Sequence, residues 1–240
     1  MRTYLLLLFT FIIVGNSFSQ QKPKVDYPYL LYLPKEYSKC EKKFPLIIYL
    51  GGGSQNGNDL SKLKSYGIPY YIEQGHEYEC IIASPQCPTA KYWTSENWFD
   101  SLFEKLTTDY RIDISRVYVT GISNGGYGTW QIAMDYPDKF AAIAPLCGGV
   151  NDSEIEKISL LKNLPVWAFH GTADDMISIN ETERVVSILE PYGNVKFTRL
   201  LNEGHGIQYL YEDNAILEWL LQHHKTNNNE LNGSSLTVKE

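Results

Sequence analysis

Residues 116–136 read RVYVTGISNGGYGTWQIAMDY. The first five are mostly β-branched or aromatic, and from Asn124 onward apolar residues recur at helical spacing until Pro137, whose ring cannot continue a helix. A strand, a tight turn and a helix thus follow one another with no linker. The turn, Gly121-Ile122-Ser123-Asn124-Gly125, places a glycine two residues to either side of Ser123. In so tight a turn a Cβ at 121 or 125 would collide with the neighbouring strand or helix, while Ser123 stands proud of the sheet with its hydroxyl exposed. The pattern alone is a modest signal, and a helix-capping serine is the plain alternative. The strand before it and the helix after it make Ser123 a candidate nucleophile.

The same rhythm extends outward. Strand-like apolar runs at 29–33, 45–50, 80–84, 116–120, 141–146, 166–170 and 195–201 alternate with helical patterns at 60–73, 96–110, 124–136, 179–189 and 213–223. Such alternation predicts an α/β fold, a mostly parallel twisted sheet with helices on both faces. Several strands are almost continuously apolar, as strands covered on both sides must be. No insertion is long enough for a separate lid domain, so one domain over 20–225 with an open site is expected. Hydrophobic residues at 43% and charged residues at 20% fit a globular chain. A formal net charge of −7 with no basic patch speaks against nucleic acid and anionic lipid as partners.

At the N-terminus an apolar run at 4–14 follows Arg2 and leads to Ser17-Phe18-Ser19-Gln20, the layout of a signal peptide cut after Ser19. The run is short of the roughly 20 residues a membrane span needs. A secreted or periplasmic enzyme without a membrane anchor is expected, and 226–240, rich in Asn, Gly and Ser, is expected to be disordered. Export would permit disulfides among Cys40, Cys80, Cys87 and Cys147. Cys40 and Cys80 precede and open strands expected to be neighbours, so a bridge between them is one expectation. Four small buried thiols is the other.

A serine hydroxyl is a poor nucleophile unless a base takes its proton and a carboxylate orients that base. In this kind of fold the order along the chain is serine, acid, histidine. His205, in Gly204-His205-Gly206 after the last strand, satisfies that order. His76 lies upstream of Ser123, His223 and His224 end the last helix, and His170 closes a strand, where a structural role is expected. The acid lies in His170-Gly171-Thr172-Ala173-Asp174-Asp175, where only one of two adjacent carboxylates can meet the imidazole. For the oxyanion that attack on a carbonyl creates, the amide of Asn124 opens a helix and is one donor. A second is expected from the loop after 45–50, at Gly52 or Gly53. A phosphate-cradling loop is excluded because no Gly-Lys-Ser/Thr follows those glycines.

Taken together, Leu50-Gly51-Gly52-Gly53, Ser84-Pro85-Gln86-Cys87-Pro88 with Trp93, the segment from Gly121 to Trp130, Cys147-Gly148-Gly149 and the segment from His170 to Asp175 resemble the secreted α/β-hydrolases grouped as predicted peptidases. Those border the carboxylesterase, dienelactone hydrolase, feruloyl esterase and polyhydroxybutyrate depolymerase families. The resemblance spans about residues 27–222. It implies an α/β-hydrolase fold and Asp174 as the acid, because relatives carry it four residues after the histidine of the His-Gly pair. Gly51 stands where relatives usually have histidine, which implies a looser oxyanion loop. Gln86, Trp93 and Tyr127, with Tyr92 and Trp98 near the same rim, are the candidate substrate contacts. The expected reaction is cleavage of a small-molecule or polysaccharide-linked carboxylic ester, of carbohydrate or feruloyl type, through an acyl-enzyme on Ser123, with no metal or cofactor. A serine peptidase and a non-catalytic binding module on the same scaffold are the rival readings.

Overall fold

A computed structural model of the chain describes residues 24–225. The expected signal peptide at 1–19 and the expected tail at 226–240 both lie outside these residues. Seven strands form one sheet: β1 (Tyr29–Tyr32), β2 (Phe44–Leu50), β3 (Ile81–Pro85), β4 (Ile112–Ile122), β5 (Ala142–Leu146), β6 (Val166–Gly171) and β7 (Val195–Leu200). Their order across the sheet is β1-β3-β2-β4-β5-β6-β7, with β1 antiparallel to β3 and every other pair parallel. All seven residues of β2 are buried, as expected for a strand near the middle of a sheet covered on both faces.

Alternation along β2 assigns the two faces. Leu46, Ile48 and Leu50 join a core with Phe99, Leu102 and Leu106 of α2 (Phe99–Asp109), Trp130 of α3 (Asn124–Asp135) and Val185 and Leu189 of α4 (Asn180–Leu189). Ile47 and Tyr49 join the opposite core with Ile68 of α1 (Ile68–Glu73) and Ile216, Leu217 and Leu220 of α5 (Ala215–Leu221). Each buried side chain of this kind contributes about 1.5–3 kcal/mol. The two apolar layers together hold the strand ends where the candidate residues sit.

Three expectations are corrected. The pattern at 60–73 divides into a 3-10 segment, Leu60–Ser65, and the short α1, because Gly67 takes φ +73° between them. β4 starts four residues earlier than read, since Ile112 pairs with Phe44. All four cysteines are free. β2 and β3 are neighbours as expected, yet Cys40 packs on the α2 side of the sheet and Cys80 on the α5 side, so no bridge can join them.

Candidate active site

Ser123 lies in the turn between β4 and α3 with φ +59° and ψ −119°, a conformation that a residue with a side chain adopts only under constraint. Main-chain crowding supplies the constraint. A Cβ at Gly125 would lie 1.9 Å from the carbonyl oxygen of Leu50, and one at Gly121 would lie 2.6 Å from both that oxygen and the carbonyl of Gly125. The turn expected from the sequence is therefore present, and both glycines are required for it.

The ends of neighbouring strands lie beside this turn. The Ser123 amide donates to Leu146 at 2.9 Å, and the next residue, Cys147, donates its amide to Phe169 at 2.9 Å and its thiol to the His205 carbonyl at 3.8 Å. The ends of β4, β5 and β6 are thereby laced side by side, with the His205 loop lying across them. His205 Nδ1 is 2.8 Å from Asp174 Oδ2. The other oxygen, Oδ1, accepts the amides of Met176 at 3.0 Å and Ile177 at 2.9 Å. The Asp174 side chain is fully buried and that of His205 is 17% exposed. Burial pushes the Asp174 carboxyl up, but the Ile177 amide, the His205 ring and the Met176 amide outweigh it and hold its pKa below the ordinary carboxylate value. Asp175 is exposed and makes none of these contacts.

The loop after β2 lies beside the serine. A Cβ at Gly52 would be 3.6 Å from Ser123 Cβ and 2.6 Å from the Tyr66 hydroxyl. The Tyr66 phenol is held above its ordinary value by burial, against opposing hydrogen bonds from Ser54 and the Gly52 amide. The looser loop expected from Gly51 is instead tied down. A Cβ at 51 would fall 2.4 Å from Gln55 Oε1, so Gln55 fills that space, and its Nε2 donates to Leu63 and Tyr66.

Gln86 is corrected from a substrate contact to a support of this loop, and Trp93 supports the loop while also lining the second cavity described below. Gln86 is fully buried, and its Nε2 donates to the carbonyls of Gln55 and Asp59 at 3.0 and 2.7 Å. Trp93 is 3% exposed, donates to the Gly51 carbonyl at 2.9 Å and packs on Trp98, which is equally buried. Tyr127 does reach the cavity at the serine, a space of about 500 Å³ lined by Ser123, Asn124, Gly53, Tyr92, Thr94, Asn151 and Ile177 besides. A second cavity of about 570 Å³ shares Thr94 and Asn151 with it and carries Glu96, Asp100, Gln131 and Lys157. Sequence reasoning missed Gln55 and Tyr66, for which no local motif exists. The donor atoms of Cys147, Asp174 and His205 lie within 4.8 Å of one another, and this is the one such cluster among the described residues.

A Ser-turn at the carboxyl end of β4, an Asp–His pair on the loops after β6 and β7, and helices on both sheet faces are matched in known proteins. In a search of solved structures, a thermostable esterase superimposes with a TM-score of 0.68 at 26% identity, covering 82% of this chain and 59% of that one. This chain has the α/β-hydrolase fold. A prolyl oligopeptidase family model matches this chain over residues 91–154, which include the serine turn. A bifunctional acetylxylan esterase/xylanase of Neocallimastix patriciarum is 33% identical over 86 residues, 36% of this chain and 12% of that protein. A probable feruloyl esterase C of Aspergillus terreus is 31% identical over 129 residues, 51% of this chain and 46% of that one. The chain spans less than half the length of these curated relatives. No helix among the described residues is long and apolar enough to cross a membrane.

Proposed function

We propose that this hydrolase cleaves carboxylic esters by acyl transfer to Ser123, with His205 as base and Asp174 as the group that orients it. The observation carrying the reading is the 2.8 Å contact between His205 Nδ1 and the buried Asp174 carboxylate, at the sheet edge where the strained Ser123 turn emerges. With Nδ1–H given to Asp174, the lone pair of Nε2 is free to accept a proton. Ser123 Oγ attacks the ester carbonyl as His205 takes its proton. The tetrahedral oxyanion collapses, the C–O bond breaks, and His205 returns the proton to the leaving alcohol. Water then repeats the sequence on the acyl-enzyme, releasing the acid and restoring Ser123.

The Asn124 amide, at the start of α3, is one oxyanion donor. Gly53 is the second, because it lines the cavity with Ser123. Tyr92, 66% exposed, and Tyr127 offer flat faces for an aromatic acyl group or a sugar ring. The polar second cavity suits a polyhydroxylated leaving group, and its carboxylates disfavour an anionic one. The substrate class is therefore an acetyl or hydroxycinnamoyl ester on a neutral carbohydrate, in line with the activities for which the relatives above are named. Export through residues 1–19, with 20–225 as the catalytic domain, completes the proposal.

The prolyl oligopeptidase match supports a second reading, cleavage of amides by the same residues. A fluorophosphonate probe tests the core claim: wild type reacts, Ser123→Ala does not, and an inert wild type refutes it. Turnover of acetylated xylan and feruloyl esters against peptide amides then separates the two readings, and hydrolysis of amides alone would reject the ester proposal.

A further inference from the structure

His170 has no step in the chemistry above, yet it is a fully buried imidazole on the carboxylate that chemistry uses. Its Nδ1 lies 2.7 Å from Thr182 Oγ1. Its Nε2 lies 2.9 Å from the carbonyl oxygen of Ile177 and 3.2 Å from Asp174 Oδ2. Hydrogen bookkeeping decides what this ring carries. Thr182 owns one hydroxyl proton, and its oxygen is also 2.6 Å from the carbonyl oxygen of Gly148, which can only accept. That proton goes to Gly148, since two bare oxygens at this separation would repel. Thr182 Oγ1 is then an acceptor toward Nδ1, so Nδ1 carries hydrogen. Nε2 faces a carbonyl and a carboxylate, neither with a proton to give, so it carries hydrogen as well.

The surroundings suit such a charge. Asp174 accepts two amides on Oδ1 and His205 on Oδ2, and His170 Nε2 lies 3.2 Å from that same Oδ2. A carboxylate with no solvent contact is stable only when paired. Apart from Asp174, the ring is met by Thr182 of α4 and the Ile177 carbonyl, with His205 beyond the carboxylate. Arg199, its register partner on β7, is engaged by Glu183 at 2.8 Å.

We propose that His170 is a buried imidazolium, a fixed positive charge that locks Asp174 in its orientation toward His205 and tempers how strongly that carboxylate holds a proton on His205. His170 is thus a positioning residue, and its role rests on the proposed pairing of Asp174 with His205. A neutral donor could supply the orientation. Only a charge supplies the tempering.

Two measurements test this. Nuclear magnetic resonance of 15N-histidine-labelled protein at pH 8, with His170 assigned from its absence in His170→Gln, should show hydrogen on both ring nitrogens. One bare nitrogen would overturn the proposal. In folded His170→Gln, which keeps a donor but no charge, the acid limb of the kcat/KM profile for ester hydrolysis should move up by about half a pH unit or more. kcat should fall while KM stays within about twofold. An unmoved acid limb in a folded variant would also overturn it. The resonance result is read independently of turnover, so a wild type that failed to react with the fluorophosphonate would sink the catalytic reading and leave the protonation of His170 decided.

Discussion

Replacing Asp174 with Asn is the sharpest perturbation of the proposed machinery, because the change in volume is small and the change in chemistry is specified by the contacts. Oδ1 is fixed by the amides of Met176 and Ile177, so the Asn oxygen must occupy that side and its NH2 must face His205 Nδ1. Two donors then oppose each other. The imidazole escapes by moving its proton to Nε2, which leaves no lone pair for the Ser123 hydroxyl. The charge term adds to this. With centres of charge about 4 Å apart and an effective dielectric near 20, losing the carboxylate removes about 4 kcal/mol of support for the imidazolium that forms during attack. At about 1.4 kcal/mol per decade that is roughly 10³ in kcat, and the tautomer change adds about another decade. Stopped assays with an activated acetyl ester should thus show Asp174→Asn at about 10³–10⁴ below wild type with KM little altered. A folded variant within tenfold of wild type would refute the assignment of Asp174.

The same carboxylate predicts acid behaviour. Its folded pKa lies below its unfolded value, so its contribution to stability is complete above the ordinary carboxylate value of about 4 and is lost as pH falls through the lower folded value; the melting temperature of wild type should fall more steeply below pH 4 than that of Asp174→Asn. Gly125→Ala places a methyl 1.9 Å from the Leu50 carbonyl and should yield little soluble protein, whereas Gly53→Ala meets nothing within 4 Å and should melt within about 2 °C of wild type, as scanning calorimetry would show. A thiol reagent should titrate Cys40 alone in the native protein and all four cysteines in denaturant, because Cys80, Cys87 and Cys147 are buried and burial pushes the first two up to about 12; rapid reaction of a second thiol would contradict this. Tyr92→Ala should raise KM for an aromatic acyl ester by about two- to tenfold, the worth of one stacking contact, without lowering the melting temperature.

Seven strands and the turn at Ser123 were legible because buried parallel strands must be apolar and because no residue but glycine fits at 121 and 125. The choice between Asp174 and Asp175 was not legible from the residues themselves. Two neighbouring carboxylates look alike until the main chain at 176 and 177 turns its amides toward one of them. The oxyanion loop was misjudged for a related reason: Gln55, four residues on, fills the space that Gly51 leaves, and spacing alone cannot show a side chain folding back on its own loop. The Cys40–Cys80 expectation had the right strands and the wrong faces.

The crowding that holds Ser123 in place is made of main-chain atoms of Leu50, Gly121 and Gly125, whereas the walls of the adjoining cavity are side chains on separate loops, Tyr92 and Ile177 among them. Reactivity and selectivity are therefore carried by different kinds of atom. A library randomised at 92 and 127 can explore new acyl groups without disturbing the main-chain atoms that hold the serine, which makes the scaffold well suited to retargeting by directed evolution.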